Sequence, residues 1–276
     1  MAFETETMKY EELRQRYQSL IINKMDREEY IMYNEVLFST HSCAIEGNSF
    51  SVDDTRELKE KGLGMIPAGK TLFEAFEMLD HFEAYEYMIQ HLQHPLDENL
   101  LKEINKRVTL HTLRSPDAIP GEYTTTDMAA GDTVFGDHEE LIARVPQLLE
   151  STEKAIQAVI QAKNADRKQK EATNALHPMV LAARFHGFYD YLHPFRDGNG
   201  RTGRLVSNYI LLRLGHPLLV IPSDCRNEYI SALRMIRTEA TDEHLIHFFF
   251  KMATDRMEQE IKQKEANTNR FRAFLF

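Results

Sequence analysis

The sequence has few cysteines and no excess of positive charge. Cys43 and Cys225 are its only cysteines, too few for a disulfide framework, so we expect reduced thiols in a cytoplasmic protein. The formal net charge is −10, which provides no general attraction to nucleic acid or to anionic lipid. Neither is therefore an expected partner, and a polyphosphate ligand would need a local group of hydrogen-bond donors and arginines.

Long apolar runs and targeting signals are also missing. The most apolar stretches, around residues 218–222 and 245–250, are too short to cross a bilayer. Residues 1–13 are polar and acidic and lack the basic start and apolar stretch of a signal peptide. Apolar residues make up 42% of the chain and charged residues 28%, as in ordinary globular proteins. We therefore expect a cytoplasmic globular protein.

Helical periodicity dominates the chain. Asp26 is a helix cap with Glu29 three residues later, and apolar positions then recur at helical spacing until Gly47 and Asn48 stop the helix. The same reasoning predicts further helices, with Asp97 and Asp224 as caps and Pro178 in a first turn. They are expected at about residues 73–89, 97–108, 139–161, 178–189, 201–214, 224–233 and 242–264.

One segment is typical of strands instead of helices. Glu122–Thr126 and Thr133–Phe135 are rich in Tyr, Thr, Val and Phe, and residues 130–132 lie between them as a turn. The predicted fold class is therefore all-α, with one short β-hairpin.

A loop between two predicted helices carries the residues suited to chemistry. Gly198–Gly200 precedes a helix start, where glycines admit a ligand and unpaired N–H groups bind a phosphate. Arg201 and Arg204 share the first turns and can hold further phosphates. Asp197 supplies a hard oxygen ligand for Mg²⁺, and His193 is suited to act as a general base.

This loop resembles the signature of the Fic family, His-x-Phe-x-Asp/Glu-Gly-Asn-Gly-Arg-x-x-Arg. Every specified position is matched, by His193, Phe195, Asp197, Gly198, Asn199, Gly200, Arg201 and Arg204. It is not a Walker P-loop, because no Gly-Lys-Ser/Thr ending is present. The resemblance implies a Fic domain at residues 98–252, between an N-terminal helical region at 1–97 and a C-terminal helix extension at 253–276.

The resemblance also implies an activity. Fic enzymes are protein adenylyltransferases, which move AMP from ATP to a Tyr, Thr or Ser hydroxyl of a target protein. By analogy His193 would deprotonate that hydroxyl, and Asp197 would hold Mg²⁺. Phe195 would pack the loop into the core. ATP would be bound by Gly198, Asn199, Gly200, Arg201 and Arg204, with Tyr229 lining the nucleoside pocket.

Two further elements follow from the same resemblance. The hairpin corresponds to a flap that docks the target protein near Tyr123–Phe135, although Thr124 stands where many relatives carry an arginine. Ser42–Gly47 resembles the inhibitory pattern Ser/Thr-x-x-x-Glu-Gly/Asn. Ser42 and Glu46 are four apart and share a helix face, which implies autoinhibition through an ion pair between Glu46 and Arg204.

Several alternatives stay open from the sequence. The same fold could remove AMP or transfer another nucleotide or phosphoryl group, and a nucleotide-sensing module with little turnover is a different class of function. The target and the oligomeric state, including a homodimer, cannot be read. Ordinary helix-face and core positions are the preferred interpretation of three other patterns: His91 with His94, His244 with His247, and the stripe of Phe73, Phe76 and Phe82.

Overall fold

A computed structural model describes residues 3–64, 66–130, 133–164 and 175–266, and most of them are helical. In chain order the helices are α1 (Glu4–Leu20), α2 (Arg27–Ile45), α3 (Val52–Lys61), α4 (Leu72–Gln90), α5 (Glu98–Val108), α6 (His138–Ile142), α7 (Val145–Asn164), α8 (Pro178–Leu192), α9 (Asn199–Arg213), α10 (Arg226–Thr238) and α11 (Glu243–Ala266). Short 3-10 turns are found at Ile22–Lys24, Gly62–Gly64 and Ser223–Cys225. The predicted all-α class is confirmed.

The β-hairpin is present, but its first strand lies further along the chain than predicted. Strands β1 (Met128–Ala130) and β2 (Thr133–Gly136) pair antiparallel, whereas Glu122–Thr126 is not part of this sheet. Tyr123 instead forms an isolated bridge with Phe195 in the signature loop. Tyr123 does form a β-type contact, but its partner lies in a loop far along the chain. Local spacing in the sequence does not reveal such a partner. Of the predicted turn at residues 130–132, Ala130 belongs to β1, and residues 131–132 lie outside the described residues.

One helix cap was predicted wrongly, and one helical region is divided. The helical region predicted over about 139–161 consists of α6 and α7, which are separate because Pro146 has no N–H and belongs in the first turn of a new helix. Asp224 does not cap α10, since it lies within a 3-10 turn and Cys225 precedes the helix without a side-chain cap. The caps at Asp26 and Asp97 are confirmed by hydrogen bonds to first-turn N–H groups.

Helix α9 lies at the centre of the molecule. Its neighbours are α8, α5, α4 and α2, and the side chains from Arg201 to Leu211 are all buried. Gly203 permits close packing of α9 on α8, because a Cβ there would come within 2.9 Å of the Tyr189 ring. Since α9 begins at the signature loop, the core fixes the direction in which the loop faces.

The N-terminal helices form a second layer against this core. Helix α2 packs on α3 and α4, around a small cluster that contains Phe82. The other two aromatics of the predicted core stripe are only half-buried: Phe73 lies under Arg114 and Phe76 stacks on His111. Helix α1 packs along α11. In the parts of the chain that the structure describes, no helix has the length and apolar character needed to span a membrane.

Candidate active site

The signature loop is shaped by two left-handed residues. His193 follows α8 with φ 47°, and Gly198 precedes α9 with φ 73°. A Cβ at Gly198 would lie 2.7 Å from Thr109 Cγ2, so glycine is required there by both conformation and space. The side chain of Asn199, the first residue of α9, reaches back to Phe195. Its Oδ1 accepts from Phe195 N at 3.0 Å, and its Nδ2 donates to Phe195 O at 2.6 Å. These bonds tie the loop into a fixed turn.

The loop is anchored to the core and to the hairpin. The Phe195 side chain is 1% exposed, as expected for a residue that packs the loop into the core. Thr124 N donates to Pro194 O at 2.9 Å. From the hairpin, the Phe135 ring stacks on the His193 imidazole, with the centroids 3.8 Å apart and an interplanar angle of 23°. The hairpin therefore covers the predicted base.

His193 lies in an environment that keeps its imidazole neutral. Burial is the main cause that lowers its pKa, to about 4, and the nearby Arg237 guanidinium adds to it. The backbone of Asp190 acts in the opposite direction, as does the Glu46 carboxylate. A neutral imidazole at physiological pH is the form that can accept a proton.

The Arg204 guanidinium is buried and bound on several sides by α2. Its Nη2 donates to Glu46 Oε1 and to Ser42 O, both at 2.7 Å, and its Nε donates to Ser42 Oγ at 3.0 Å. The structure thus brings both predicted inhibitory residues onto the second arginine of the signature. A Cβ on Gly200 would collide with the Glu46 carboxylate, so Glu46 also occupies the space above the glycine turn.

Arg201 is paired as well, with a residue that sequence reasoning missed. Its Nη1 lies 2.9 Å from Glu77 Oε1 in α4, and its Nη2 lies 3.3 Å from Asp197 Oδ1. Glu77 also accepts from Asn48 Nδ2 at 2.8 Å. Glu77 gave no signal in the sequence, because only the packing of α4 beside α9 brings it to the loop.

A cavity of about 310 Å³ opens beside the loop, a volume within the range of small-molecule sites. Five predicted site residues line it: Glu46, His193, Gly200, Arg204 and Tyr229. The others, which are not part of the lining, are Ser42, Asp197, Gly198, Asn199 and Arg201. Arg201 is kept from the cavity by its burial against Glu77. Glu46 lies over Gly200 and so covers part of the glycine turn.

Several cavity residues were not predicted as site residues. Arg226, Ile230, Leu233 and Arg237 of α10 line it, and their spacing of four, three and four residues is the signal that could have identified one helix face. Asp190 of α8 also lines the cavity, and burial raises the pKa of its carboxyl to about 6 against the opposing effect of Arg237.

Tyr229 connects the cavity wall to the core beneath it. Its hydroxyl lies 2.6 Å from His186 Nε2 and 3.4 Å from Arg204 Nη1. The ring is 1% exposed, so only an edge of it faces the cavity. Burial raises the pKa of the hydroxyl, which keeps it a neutral hydrogen-bonding group.

Asp197 is the residue of the loop best suited to a hard cation. Its side chain is 44% exposed beside the glycine turn, and Oδ1 also accepts from Gly198 N at 2.5 Å. An accessible carboxylate next to a phosphate-binding turn fits Mg²⁺, which prefers one or two carboxylates together with phosphate and water oxygens.

A second group of metal-type ligands lies between α1 and the core. Glu11, His177 and His216 have ligand atoms within 4.8 Å of one another. These atoms already have partners, since Tyr10 Oη lies 2.9 Å from His216 Nδ1 and His177 Nε2 lies 3.1 Å from Glu11 Oε1. Arg14 also donates to Glu11 at 2.6 Å. The group is a polar contact that holds α1 in place.

A helical core that presents a glycine turn and two buried arginines at the start of its central helix defines a Fic-type domain. Residues 95–211 match the family model "Fic/DOC family". The protein adenylyltransferase Fic of Nematostella vectensis is 33% identical over 199 residues, covering 70% of this chain and 41% of that protein. The corresponding protein of Drosophila grimshawi is 32% identical over 201 residues, covering 71% and 36%.

Solved structures show the same fold. A Fic domain containing signaling protein from Bacteroides thetaiotaomicron VPI-5482 superposes with a TM-score of 0.74 at 23% identity, covering 94% of this chain and 97% of that one. Fic-1 (aa134–508) from C. elegans gives 0.70 at 21% identity, covering 92% and 70%. The chain therefore contains a Fic/DOC family domain, at residues 95–211. It spans little more than a third of the length of the curated relatives it matches.

Proposed function

We propose that this chain is a protein adenylyltransferase that transfers AMP from ATP to a Tyr, Thr or Ser hydroxyl of a target protein. The hydroxyl oxygen bonds to the α-phosphorus, the bond from that phosphorus to the bridging oxygen of the β-phosphate breaks, and pyrophosphate leaves. The proposal is carried by one observation: a complete signature loop places His193 and Arg204 on the same cavity. Curated relatives named protein adenylyltransferase Fic support it.

The residues of the loop have separate roles in the proposed reaction. His193 takes the proton of the attacking hydroxyl, and its low pKa keeps it available as a base. The N–H groups at the start of α9, from Gly198 to Gly200, bind the α- and β-phosphates. Arg201 and Arg204 bind the outer phosphates once Glu77 and Glu46, their carboxylate partners outside the loop, are displaced. Tyr229 borders the nucleoside.

Mg²⁺ is the proposed metal, with Asp197 as its protein ligand. When bound, it would neutralise phosphate charge and help to orient the triphosphate. Asp197 also contacts Arg201, so the carboxylate stays beside the phosphate-binding turn whether or not the metal is present.

The resting protein is proposed to be autoinhibited. Ser42 and Glu46 occupy Arg204, and a γ-phosphate would require the same guanidinium. ATP bound without Arg204 would present its α-phosphate in a poor orientation for attack. Residues 1–97 therefore act as a regulatory region, residues 98–252 as the catalytic domain and residues 253–276 as a C-terminal extension.

The target protein is proposed to dock at the flap near Tyr123–Phe135. Val134 in β2 is 76% exposed beside the buried Phe135, so an extended segment of the target could pair with this hairpin and place its hydroxyl near His193. Nucleic acid and membranes are not proposed partners. A cytoplasmic location and a homodimer stay predictions, to be checked by cell fractionation and by the mass measured in solution.

Incubation with ATP labelled at the α-phosphate tests the proposal. The purified chain and its Glu46→Gly variant are mixed with cell lysate, and labelled proteins are identified by mass spectrometry. We expect a mass increase of one AMP on hydroxyl side chains, strongest with Glu46→Gly and absent when His193→Ala is added. ATP binding without incorporation would favour a nucleotide sensor. Release of AMP from a modified substrate would favour the reverse reaction.

A further inference from the structure

Helix α8 ends beside the cavity, and a side chain from α10 caps it. The last carbonyls of a helix have no partner within the helix. The Arg237 Nη2 atom donates to Asp190 O and to Tyr191 O, both at 2.7 Å. His193 follows α8 directly and takes the left-handed conformation. Arg237 therefore binds the helix end from which the predicted base projects.

The same guanidinium contacts the flap. It lies 4.4 Å from the centroid of the Phe135 ring and 4.6 Å from that of Tyr191. Phe135 in turn stacks on the His193 imidazole. Arg237, Phe135 and His193 thus form one connected set that joins α10, the hairpin and the signature loop.

No side chain among the described residues fixes the His193 ring through a hydrogen bond. Its buried Nδ1 has no hydrogen-bond partner among the described residues, although the Asp190 backbone raises the pKa of the ring. A catalytic histidine is usually held by a carboxylate or carbonyl on its second nitrogen. Here the orientation of the ring depends on the backbone turn and on the stack with Phe135.

We propose that Arg237 is a positioning residue for His193, which fixes the end of α8 and holds Phe135 against the imidazole so that Nε2 faces the cavity. The inference rests on the proposed function, since it takes His193 as the base. Arg237 also places a fixed positive charge near the ring, which disfavours a protonated imidazole. One side chain thus controls both the orientation and the protonation of the base.

Other charged or titratable groups also face this region and must stay constant in the test. They come from the C-terminal end of α2 and from α6, α8, α9 and α10, and they are Glu46, Asp190, Tyr191, Arg204, Arg226, Tyr229, Arg234 and His138. Substitution at Arg237 leaves each of them in place. Because Arg237 also opposes the rise in the pKa of Asp190, a change in the behaviour of His193 is assigned to Arg237 acting directly or through Asp190.

The experiment compares Arg237→Gln and Arg237→Lys, each in the active Glu46→Gly form. Gln removes the charge and the guanidinium fork, whereas Lys keeps the charge but cannot bind both carbonyls in the same planar geometry. We expect kcat to fall about 10- to 100-fold in both, because a small displacement of a catalytic group has a cost of this size. The KM for ATP should change little.

The titration of His193, followed by NMR of the labelled imidazole from neutral pH down to about pH 5, provides the second readout. The resonance is assigned by its loss in His193→Asn. In the Glu46→Gly parent the His193 ring should stay neutral over this pH range. In Arg237→Gln the ring should begin to protonate, and in Arg237→Lys its titration should be closer to that of the parent. Arg184→Gln, which removes an arginine of α8 paired with Asp242 away from the cavity, is the matched control.

Three outcomes would overturn the inference: an unchanged His193 titration in Arg237→Gln, an unchanged kcat in both variants, or a large rise in the KM for ATP with kcat retained. The last would make Arg237 a nucleotide-binding residue instead. If Arg237→Gln does not fold, the kcat of Arg237→Lys decides whether the inference stands. If Glu46→Gly itself transfers no AMP, the proposed function fails, while the NMR titration still reports whether Arg237 controls the imidazole.

Discussion

In the proposed function, the Arg204 guanidinium both binds ATP and takes part in inhibition, and its hydrogen bonds are consistent with the two roles. The group is 3% exposed, and α2 provides it with a carboxylate, a carbonyl and a hydroxyl. Arginine remains charged even when buried, and Glu46 further raises its pKa. A phosphate can therefore replace Glu46 only by exchanging one anion for another at the same donors.

Replacing Glu46 should activate the enzyme. Although burial alone would raise the pKa of Glu46, Arg204 and Arg201 lower it, so the carboxylate is charged. Its side chain is 36% exposed to the cavity, so solvent screens the pair and we expect the low end of the roughly 2–5 kcal/mol typical of truncated charge pairs. That still exceeds the ~1.4 kcal/mol that changes a rate tenfold.

The measurement is the initial rate of AMP transfer at saturating ATP and Mg²⁺ for Glu46→Gly and Glu46→Gln. We expect each to be at least about tenfold faster than the parent. Gln keeps the shape and removes the charge, so activation by Gly alone would point to space over Gly200 instead of the ion pair. Equal rates in all three proteins would show that Glu46 is not inhibitory.

Asp197 should determine the dependence on divalent metal. Asp197→Asn keeps a neutral oxygen but loses the charge that Mg²⁺ prefers, so half-maximal activity should require at least about tenfold more Mg²⁺. Activity of the Glu46→Gly form is titrated with MgCl₂ with and without the second substitution. Full activity in excess chelator would contradict the metal assignment.

At the scale of elements, α2, which is proposed to be inhibitory, is held by a residue that local patterns do not reveal. His81 of α4 lies 2.9 Å from Ser39 Oγ and 3.0 Å from Ser42 Oγ, and it is completely buried. Because Arg204 Nε already donates to Ser42 Oγ, the Ser42 hydroxyl is free to donate to His81 Nε2. His81 Nδ1 then donates to Ser39.

Removing this bridge should weaken inhibition. His81→Met fills a similar volume but leaves the Ser42 hydroxyl without its acceptor. We expect the rate of AMP transfer to rise severalfold, less than for Glu46→Gly, because the ion pair itself is kept. In the Glu46→Gly background the same substitution should have little effect. Equal activation in both backgrounds would show that His81 does not act through the inhibitory contact.

The sequence predicted elements well wherever the signal was local. The caps at Asp26 and Asp97 and the stop at Gly47 depend on neighbouring residues, and the structure has them. The first hairpin strand was misplaced because Tyr123 pairs with Phe195, a contact between residues far apart in the chain. Glu77 was missed as a site residue for the same reason, since its contact is with the distant Arg201.

At the scale of the whole molecule, the N-terminal helices and the signature domain are joined by buried polar contacts. Tyr17 Oη donates to Glu260 at 2.6 Å, and Arg256 binds both Glu260 and Asn34. The proposed boundary between residues 252 and 253 falls inside the continuous helix α11. Unfolding of either part would therefore disturb the other, and ionisable groups at their contacts should influence the stability of the entire chain.

The protein should lose stability on acidification at pH values well above those at which ordinary carboxylates titrate. Burial, assisted by positive neighbours, lowers the pKa of His186 and His216 to about 3 and that of His81 well below its ordinary value. In the unfolded chain these histidines titrate near pH ~6.5. Below that pH the unfolded state binds protons that the folded state does not, so the free energy of unfolding falls as the pH falls.

Each of the three histidines contributes up to ~1.4 kcal/mol per pH unit between their folded and unfolded pKa values. Asp190 acts in the opposite sense, because its raised pKa of about 6 lets the folded state hold a proton that the unfolded state lacks. One histidine is thereby offset below about pH 6, but His193, with its pKa of about 4, adds one, which leaves a slope of roughly 3–4 kcal/mol per pH unit down to about pH 5. The depressed pKa of Glu11, about 2, matters only at lower pH.

Urea unfolding at several pH values from about 7 to about 5 measures this slope. His216→Gln removes one titrating group, so the variant should be less stable at neutral pH, because Tyr10 loses its ring partner. It should also lose stability more slowly on acidification, by ~1.4 kcal/mol per pH unit. His244→Gln, at a half-exposed position of α11, is the control. A parent protein whose stability is constant over this range would contradict the assignment of neutral histidines to its core.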